Sequence, residues 1–202
     1  MINLLSDLNK IIIVGRGSKL YQQLKSFEEI DIVELSTIDA KIQISNFDKK
    51  CLIIIFSLFD GEDLRLFLSQ IKGKSITVGS VSALSRVADR FKYAALKKRQ
   101  LKTIHKLNDM RHKIILFGDF SEREFIGDYY LSNSDEFWPA VWEALGSNNI
   151  CSISAKLISN RDTFSGFLSF LDFIAAPIST LFLKKLSNRV YGYIDAKNYK
   201  PN

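Results

Sequence analysis

The chain has 202 residues, 47% of them hydrophobic, and a formal net charge of +6. That size and apolar content predict one α/β domain of ordinary core volume and exclude a second domain of comparable size. The positive charge suits nucleotides, anionic membranes or nucleic acid and chooses none of them.

Residues 10–15 (Lys-Ile-Ile-Ile-Val-Gly) read as a buried β-branched strand running into a glycine loop. The loop is Gly15-Arg16-Gly17-Ser18-Lys19-Leu20, and a helix is expected over 19–27. Strand, Gly-x-Gly, helix is the context of a dinucleotide-binding turn, in which the glycine backbone approaches a pyrophosphate resting on the helix N-terminus. Leu20 stands where a third glycine would be expected, and a tight turn without ligand is the competing reading. Residues 30–35 form the second expected strand. Its Glu34 falls about twenty residues after Gly15, where an acid can hold the ribose hydroxyls of NAD. Arg16 and Lys19 point instead to the 2′-phosphate of NADP, and a solvated strand-end charge is the third reading of Glu34.

Residues 37–48 are short for a helix plus a strand, and the helix is expected to be cut back or lost. Residues 51–56 (Cys-Leu-Ile-Ile-Ile-Phe) predict a central strand covered on both faces. Its exit, from Ser57 to Gly61, is placed to touch a cofactor. Residues 62–71 predict an amphipathic helix with Leu64, Leu66, Phe67, Leu68 and Ile71 on its apolar side.

Residues 75–98 carry the most specific pattern. A short strand ends at Gly79-Ser80, and a helical stretch expected over 87–110 bears Tyr93-Ala94-Ala95-Leu96-Lys97. Tyr93 and Lys97, four residues apart, share a helix face, and Ser80 sits at a strand's C-terminal lip, where open α/β sheets place ligands. An ammonium near a phenol favours the phenolate, and a serine hydroxyl can hold the oxygen that the phenol protonates. Such a trio fits acid/base work in carbonyl–alcohol interconversion, with hydride from a cofactor. The many Lys and Arg of this helix also suit a solvated face; no aromatic interleaving or motif points to nucleic acid, and no such partner is expected.

Residues 113–117 predict another strand, 121–134 a loop region over the site, and a helix starting near 134–137 and closed by Gly146. Trp138, Val141, Trp142 and Leu145 then share one core-facing side. Residues 151–157 read as the last strand. The alternation predicts a Rossmann-like, doubly wound parallel sheet with helices on both faces. Cys51 and Cys151 lack a motif and read as reduced thiols, with Cys51 buried. Neither they nor the two histidines have metal-ligand spacing, so no metal is expected. Asp7 and Lys10 interrupt the start, which does not read as a signal peptide.

Gly15 and Gly17, Gly79-Ser80 and Tyr93-Ala94-Ala95-Leu96-Lys97 together resemble the short-chain dehydrogenase/reductase family over roughly residues 10–145. The resemblance implies a Rossmann fold, NAD or NADP as cofactor, and a catalytic set of Ser80, Tyr93 and Lys97, the lysine also holding the nicotinamide ribose. It implies cofactor contacts at Gly15, Arg16, Gly17, Ser18, Lys19, Leu20, Glu34 and Ser57. The chain departs from the family pattern in three places. The glycine loop lacks one glycine, Phe56-Ser57-Leu58 replaces Asn-Ala-Gly, and Gly118-Asp119 replaces Pro-Gly. It is similar to small members that modify sugars in bacterial surface-polysaccharide pathways, implying a nucleotide- or lipid-linked sugar substrate. A sugar epimerase or dehydratase, and a non-catalytic nucleotide-binding protein, are the alternatives.

The expected organisation is a nucleotide-binding domain over 1–160 and a hydrophobic, basic helical extension over 161–202. Within the extension, Asp172 and Pro177 interrupt the apolar stretch, so it does not read as a membrane-spanning helix. Three readings stand for residues 164–189: packing on the domain or forming a homodimer interface, lying on an anionic membrane surface, or lining the substrate pocket as a lid. The expected location is the cytoplasm, free or at the inner face of its membrane.

Overall fold

The computed structural model describes residues 8–15, 18, 21, 31–84, 88–120 and 127–160, the side chains of 127–130 and 157–160 excepted. Among these, six strands form one parallel sheet. They are β1 (Lys10–Val14), β2 (Asp31–Leu35), β3 (Cys51–Ile55), β4 (Lys74–Ser80), β5 (His112–Phe117) and β7 (Cys151–Ser154), in the spatial order β2-β1-β3-β4-β5-β7. A separate antiparallel pair is made by β6 (Gly127–Leu131) and β8 (Lys156–Asn160). The expected Rossmann-like, doubly wound α/β fold is what the chain adopts.

The strand sequences explain their place. Cys51–Ile55 and His112–Phe117 are buried at every position, as strands covered on both faces must be. One face packs Ile12, Val14, Ile53, Ile55, Ile114 and Leu116 under three helices: α1 (Thr37–Gln43), α2 (Gly61–Ser69) and α3 (Lys92–Leu107). The opposite face packs Ile11, Ile13, Ile54, Ile76, Val78 and Ile115 under α4 (Phe137–Gly146). Val141, Trp142 and Leu145 of α4 are buried and Trp138 is partly so, on the side their spacing predicts.

Local chemistry sets the helix ends. The Ser36 hydroxyl accepts from the Asp39 N–H at 3.1 Å, and the Asp60 carboxylate accepts from the Gly61 N–H at 2.8 Å. Glu62 and Asp63 follow in the first turn of α2, where the helix dipole favours acids. Asn108 ends α3 in the left-handed conformation, φ 48°, its N–H returning to Ile104.

Several expectations are corrected. Over 37–48 the helix is cut back rather than lost: it runs for seven residues as α1, capped by Ser36, and the chain then passes through a 3-10 turn, Ile44–Asn46, towards β3. Leu66 is not on the apolar side of α2; it is exposed, while Leu64, Phe67, Leu68 and Ile71 are buried. The helix expected over 87–110 begins only at Lys92. Residues 127–131, expected within a loop, form β6, and the last expected strand is two, because pairing with β5 stops at Ser154 and Ala155 turns the chain towards β6. Cys51 is buried and both cysteines are free, as expected. The helix over 19–27 (Tyr21 apart) and residues 164–189 lie outside the described residues. No helix among the described residues is long and apolar enough to cross a membrane.

Candidate functional site

The chain leaves β1 on one side for β2 and recrosses to β3 on the other, so a crevice opens between the C-terminal ends of β1 and β3. Gly15 and Ser57 face each other across it. Gly15 has φ +100°, and a Cβ there would stand 2.6 Å from Ser57 Oγ and 2.9 Å from Ser57 N. Only glycine gives that conformation and that approach without strain. The Gly15 N–H donates to the Leu35 carbonyl, and the Ser18 N–H donates back to the Gly15 carbonyl, both at 2.9 Å, closing the turn. Arg16, Gly17, Lys19 and Leu20 lie outside the described residues.

Around the crevice sit polar groups that sequence reading only partly found. Ser57 Oγ and Thr37 Oγ1 share a hydrogen bond of 2.7 Å. The Tyr21 hydroxyl donates to Glu34 Oε1 at 2.5 Å, while its ring tilts against Phe56, centroids 5.6 Å apart. Burial first, and then the Glu34 carboxylate, push the Tyr21 phenol up to about 12. Neither Tyr21 nor Thr37 belongs to a motif, so nothing in the sequence marked them.

Two strands along, Ser80 closes β4 beside Phe117 of β5. Gly79 precedes it because a Cβ there would meet the Leu116 side chain at 2.5 Å. Tyr93 lies in the first turn of α3, its hydroxyl near enough to Ser80 for the serine to lower its pKa. Ser80 Oγ also shares a hydrogen bond of 2.9 Å with Ser82 Oγ and accepts from the Ser82 N–H. Tyr93 is 52% exposed as a residue, yet desolvation of its hydroxyl dominates its titration. The phenol is raised from its ordinary value by that burial; Ser80 opposes the rise and the Asp119 carboxylate adds to it.

Lys97 follows one turn later and is buried, with 3% of its surface exposed. Its ammonium lies over the Tyr93 ring, 5.9 Å from the centroid, and donates to the Val78 carbonyl at 2.5 Å. Burial pushes Lys97 down to about 8. The chain thus brings Ser80, Tyr93 and Lys97 together, but the expected electrostatics do not hold. The ammonium is turned to a backbone carbonyl, desolvation outweighs any help to the phenolate, and the phenol is less acidic than usual.

Below Lys97 on the same helix face, Gln100 is fully buried and its Nε2 donates to the Ser57 carbonyl at 3.0 Å, linking the two halves of the site. Its spacing of three from Lys97 was the signal that could have found it. Asp119 leaves β5 next to this site and is bridged to Leu131 of β6. On the outer face of α3, Lys98 pairs with Asp89 at 2.5 Å and Arg99 with Asp60 at 3.1 Å, so part of its basic charge is matched. Among the described residues no group of His, Cys, Asp and Glu is arranged to hold a metal.

No family model and no curated protein matches the chain. Solved structures share its fold. Vestitone reductase from alfalfa (Medicago sativa) matches over 83% of this chain and 82% of its own, with a TM-score of 0.54 and 8% identity. A short-chain dehydrogenase/reductase from Veillonella parvula, crystallised with NADP, matches over 70% of this chain and 88% of its own, with a TM-score of 0.44 and 13% identity. At 8% identity the likeness to vestitone reductase is one of fold.

Proposed function

We propose that the chain is an NAD(P)-dependent oxidoreductase of the short-chain dehydrogenase/reductase type, acting at a carbonyl or alcohol carbon of a nucleotide- or lipid-linked sugar. The observation that carries this reading is the grouping of Tyr93 with Lys97, 5.9 Å over its ring, and with Ser80, at the same end of the sheet as the Gly15 turn. The site fits a dinucleotide: the Gly15 turn has no room for a side chain, and Ser57 and Glu34 stand beside it at the β1/β3 crevice. Gly15, Ser18, Glu34 and Ser57 would hold the nucleotide, joined by Arg16, Gly17, Lys19 and Leu20 of the same loop and by Lys97. When bound, the nicotinamide accepts or supplies the hydride.

The chain's own residues handle the proton. Tyr93 gives its hydroxyl proton to a carbonyl oxygen, or takes one from an alcohol. Ser80 donates to the same oxygen and fixes its distance from Tyr93, with Ser82 holding the Ser80 hydroxyl in place. A substrate oxygen placed against Ser80 would meet the Tyr93 hydroxyl, which is desolvated although the residue is half exposed. Lys97 would hold the nicotinamide ribose; in the free chain its ammonium is turned to the Val78 carbonyl and the phenol stays less acidic than usual.

Titration with NAD and with NADP, read as a rise in melting temperature, tests the nucleotide reading. Turnover across a panel of nucleotide- and lipid-linked sugars, read as absorbance of the reduced nicotinamide, tests the rest. Failure of both nucleotides to move the melting temperature would remove it. A second reading, a nucleotide-binding protein without turnover, is favoured by the Lys97 contact with Val78 and the raised Tyr93 phenol. Nucleotide binding with no turnover on any substrate would select it. An epimerase or dehydratase would use the same residues and give product with no net change in reduced nicotinamide.

A further inference from the structure

Two buried side-chain polar atoms among the described residues have no hydrogen-bond partner, Gln100 Oε1 and Thr77 Oγ1. Both residues are 0% exposed. They lie on the same side of the sheet. Thr77 pairs across the strands with Ile55 and Ile114, which belong to the core layer under α3, so its side chain faces that helix. Gln100 reaches the Ser57 carbonyl, two residues beyond the Ile55 that pairs with Thr77. Lys97, one turn before Gln100, reaches the carbonyl of Val78, the residue after Thr77. Three buried polar side chains therefore converge on the last residues of β3 and β4.

The unpartnered oxygen is not an artefact of which way the amide faces. Reversed, Gln100 would set its oxygen against the Ser57 carbonyl, two acceptors without a proton between them. A buried amide oxygen or hydroxyl left unpaired costs about 1–3 kcal/mol, so two such atoms in the one layer under α3 call for a partner. Lys97 adds the complementary need. An ammonium has three N–H donors, and the Val78 carbonyl takes one.

We infer that Gln100, Thr77 and Lys97 form a sealed site for a single water molecule behind the Tyr93–Ser80 pair, which makes Gln100 a positioning residue for Lys97. The water accepts from Lys97 Nζ and donates to Gln100 Oε1 and Thr77 Oγ1. Three bonds of this kind are the usual complement of a buried water. The site anchors the ammonium from below while Val78 holds it from the side, and it keeps Lys97 chargeable within a dry layer. Its catalytic meaning rests on the proposed oxidoreductase reading; its existence does not.

The test uses the full chain without nucleotide. A crystal structure fine enough to resolve solvent should contain one ordered water within hydrogen-bonding distance of all three side chains. NMR titration of Lys97 should give a pKa that falls by about one unit in Gln100→Leu, because the ammonium loses a partner of its charged form. Gln100→Glu should raise it instead. A site filled by side chains with no water, or a Lys97 titration unmoved in a folded Gln100→Leu, would overturn the inference. Should Gln100→Leu not fold, Thr77→Val against Thr77→Ser makes the same comparison, and only the valine variant should lower the Lys97 pKa. Absence of nucleotide binding would sink the proposed function while leaving these readings intact.

Discussion

The Tyr21 hydroxyl donates to Glu34 Oε1 at 2.5 Å, tying the helix side of the glycine turn to the end of β2. The pair sets an anion beside the β1/β3 crevice and orients it. An anionic carboxylate accepts from ribose hydroxyls and repels a 2′-phosphate. The expected outcome is tighter binding of NAD than of NADP. Tyr21→Phe should narrow the difference and Glu34→Gln should abolish it, as read from dissociation constants for both nucleotides. Spectrophotometric titration gives a second check. The Tyr21 phenol should ionise near pH 12 and earlier in Glu34→Gln.

Tyr93→Phe should leave the melting temperature within a few degrees of the wild type, because the half-exposed ring stays and a single hydroxyl is lost. Turnover should fall by roughly 10²- to 10⁴-fold, the range for a single acid/base group. Equal rates in the two proteins would remove Tyr93 from the chemistry.

Lys97 makes the fold more stable in alkali. Its pKa is about 8 in the fold against a reference of 10.5. Between those values the unfolded chain holds the proton and the folded chain has released it, so stability rises with pH across that window. Two and a half units correspond to roughly 2–4 kcal/mol. Urea unfolding at pH 8 and pH 10.5, wild type against Lys97→Met, isolates this from Lys113, which burial also pushes down. A pH slope unchanged in Lys97→Met would contradict the buried placement.

At the opposite edge of the sheet, His112 is buried, its Nδ1 2.9 Å from Ser75 Oγ, and burial lowers its pKa from 6.5. Below pH 6.5 the unfolded chain takes this proton first, so stability should fall as acid is added. A second loss should follow between pH 3.8 and about 2. There the Asp109 carboxylate, held down chiefly by its bonds to Arg111, becomes protonated. His112→Gln should remove the first phase and leave the second.

Gly15→Ala should cost about 1–3 kcal/mol for the strained backbone alone, with the Ser57 collision added. Double substitution with Ser57→Gly should relieve the contact with the hydroxyl, but neither the contact with the backbone nitrogen of residue 57 nor the strain. A single variant as stable as wild type in urea would refute the tight approach of the two loops.

The parts of this architecture that sequence made legible are those with a strong local cause. The Ile-rich runs of β1 and β3 could be placed because strands covered on both faces need unbroken apolar side chains. The Gly79-Ser80 turn and the Tyr93–Lys97 spacing were readable because one helical turn fixes which side chains are neighbours. What could not be read depended on distant partners. Leu66 looks apolar-facing in α2 by composition, but its neighbours Leu64, Phe67 and Leu68 fill the core side. The direction in which Lys97 turns is decided by the Val78 carbonyl nineteen residues away. The buried setting of the Tyr93 oxygen comes from packing that no local pattern encodes. Thr37 and Tyr21 reach the crevice only because β2 lies beside β1.

Gly127 and Asn160 are paired at one end of the β6–β8 ladder, while Leu131, at the other end, is bridged to Asp119 near Tyr93. The chain therefore enters β6 and leaves β8 at a shared doorway, and the far tip is fastened beside the chemistry. Such a two-stranded lever carries any tug at the doorway to the neighbourhood of the phenol. A reporter dye fixed near Lys156, which pairs with Leu131 at the far tip, would show whether it arrives.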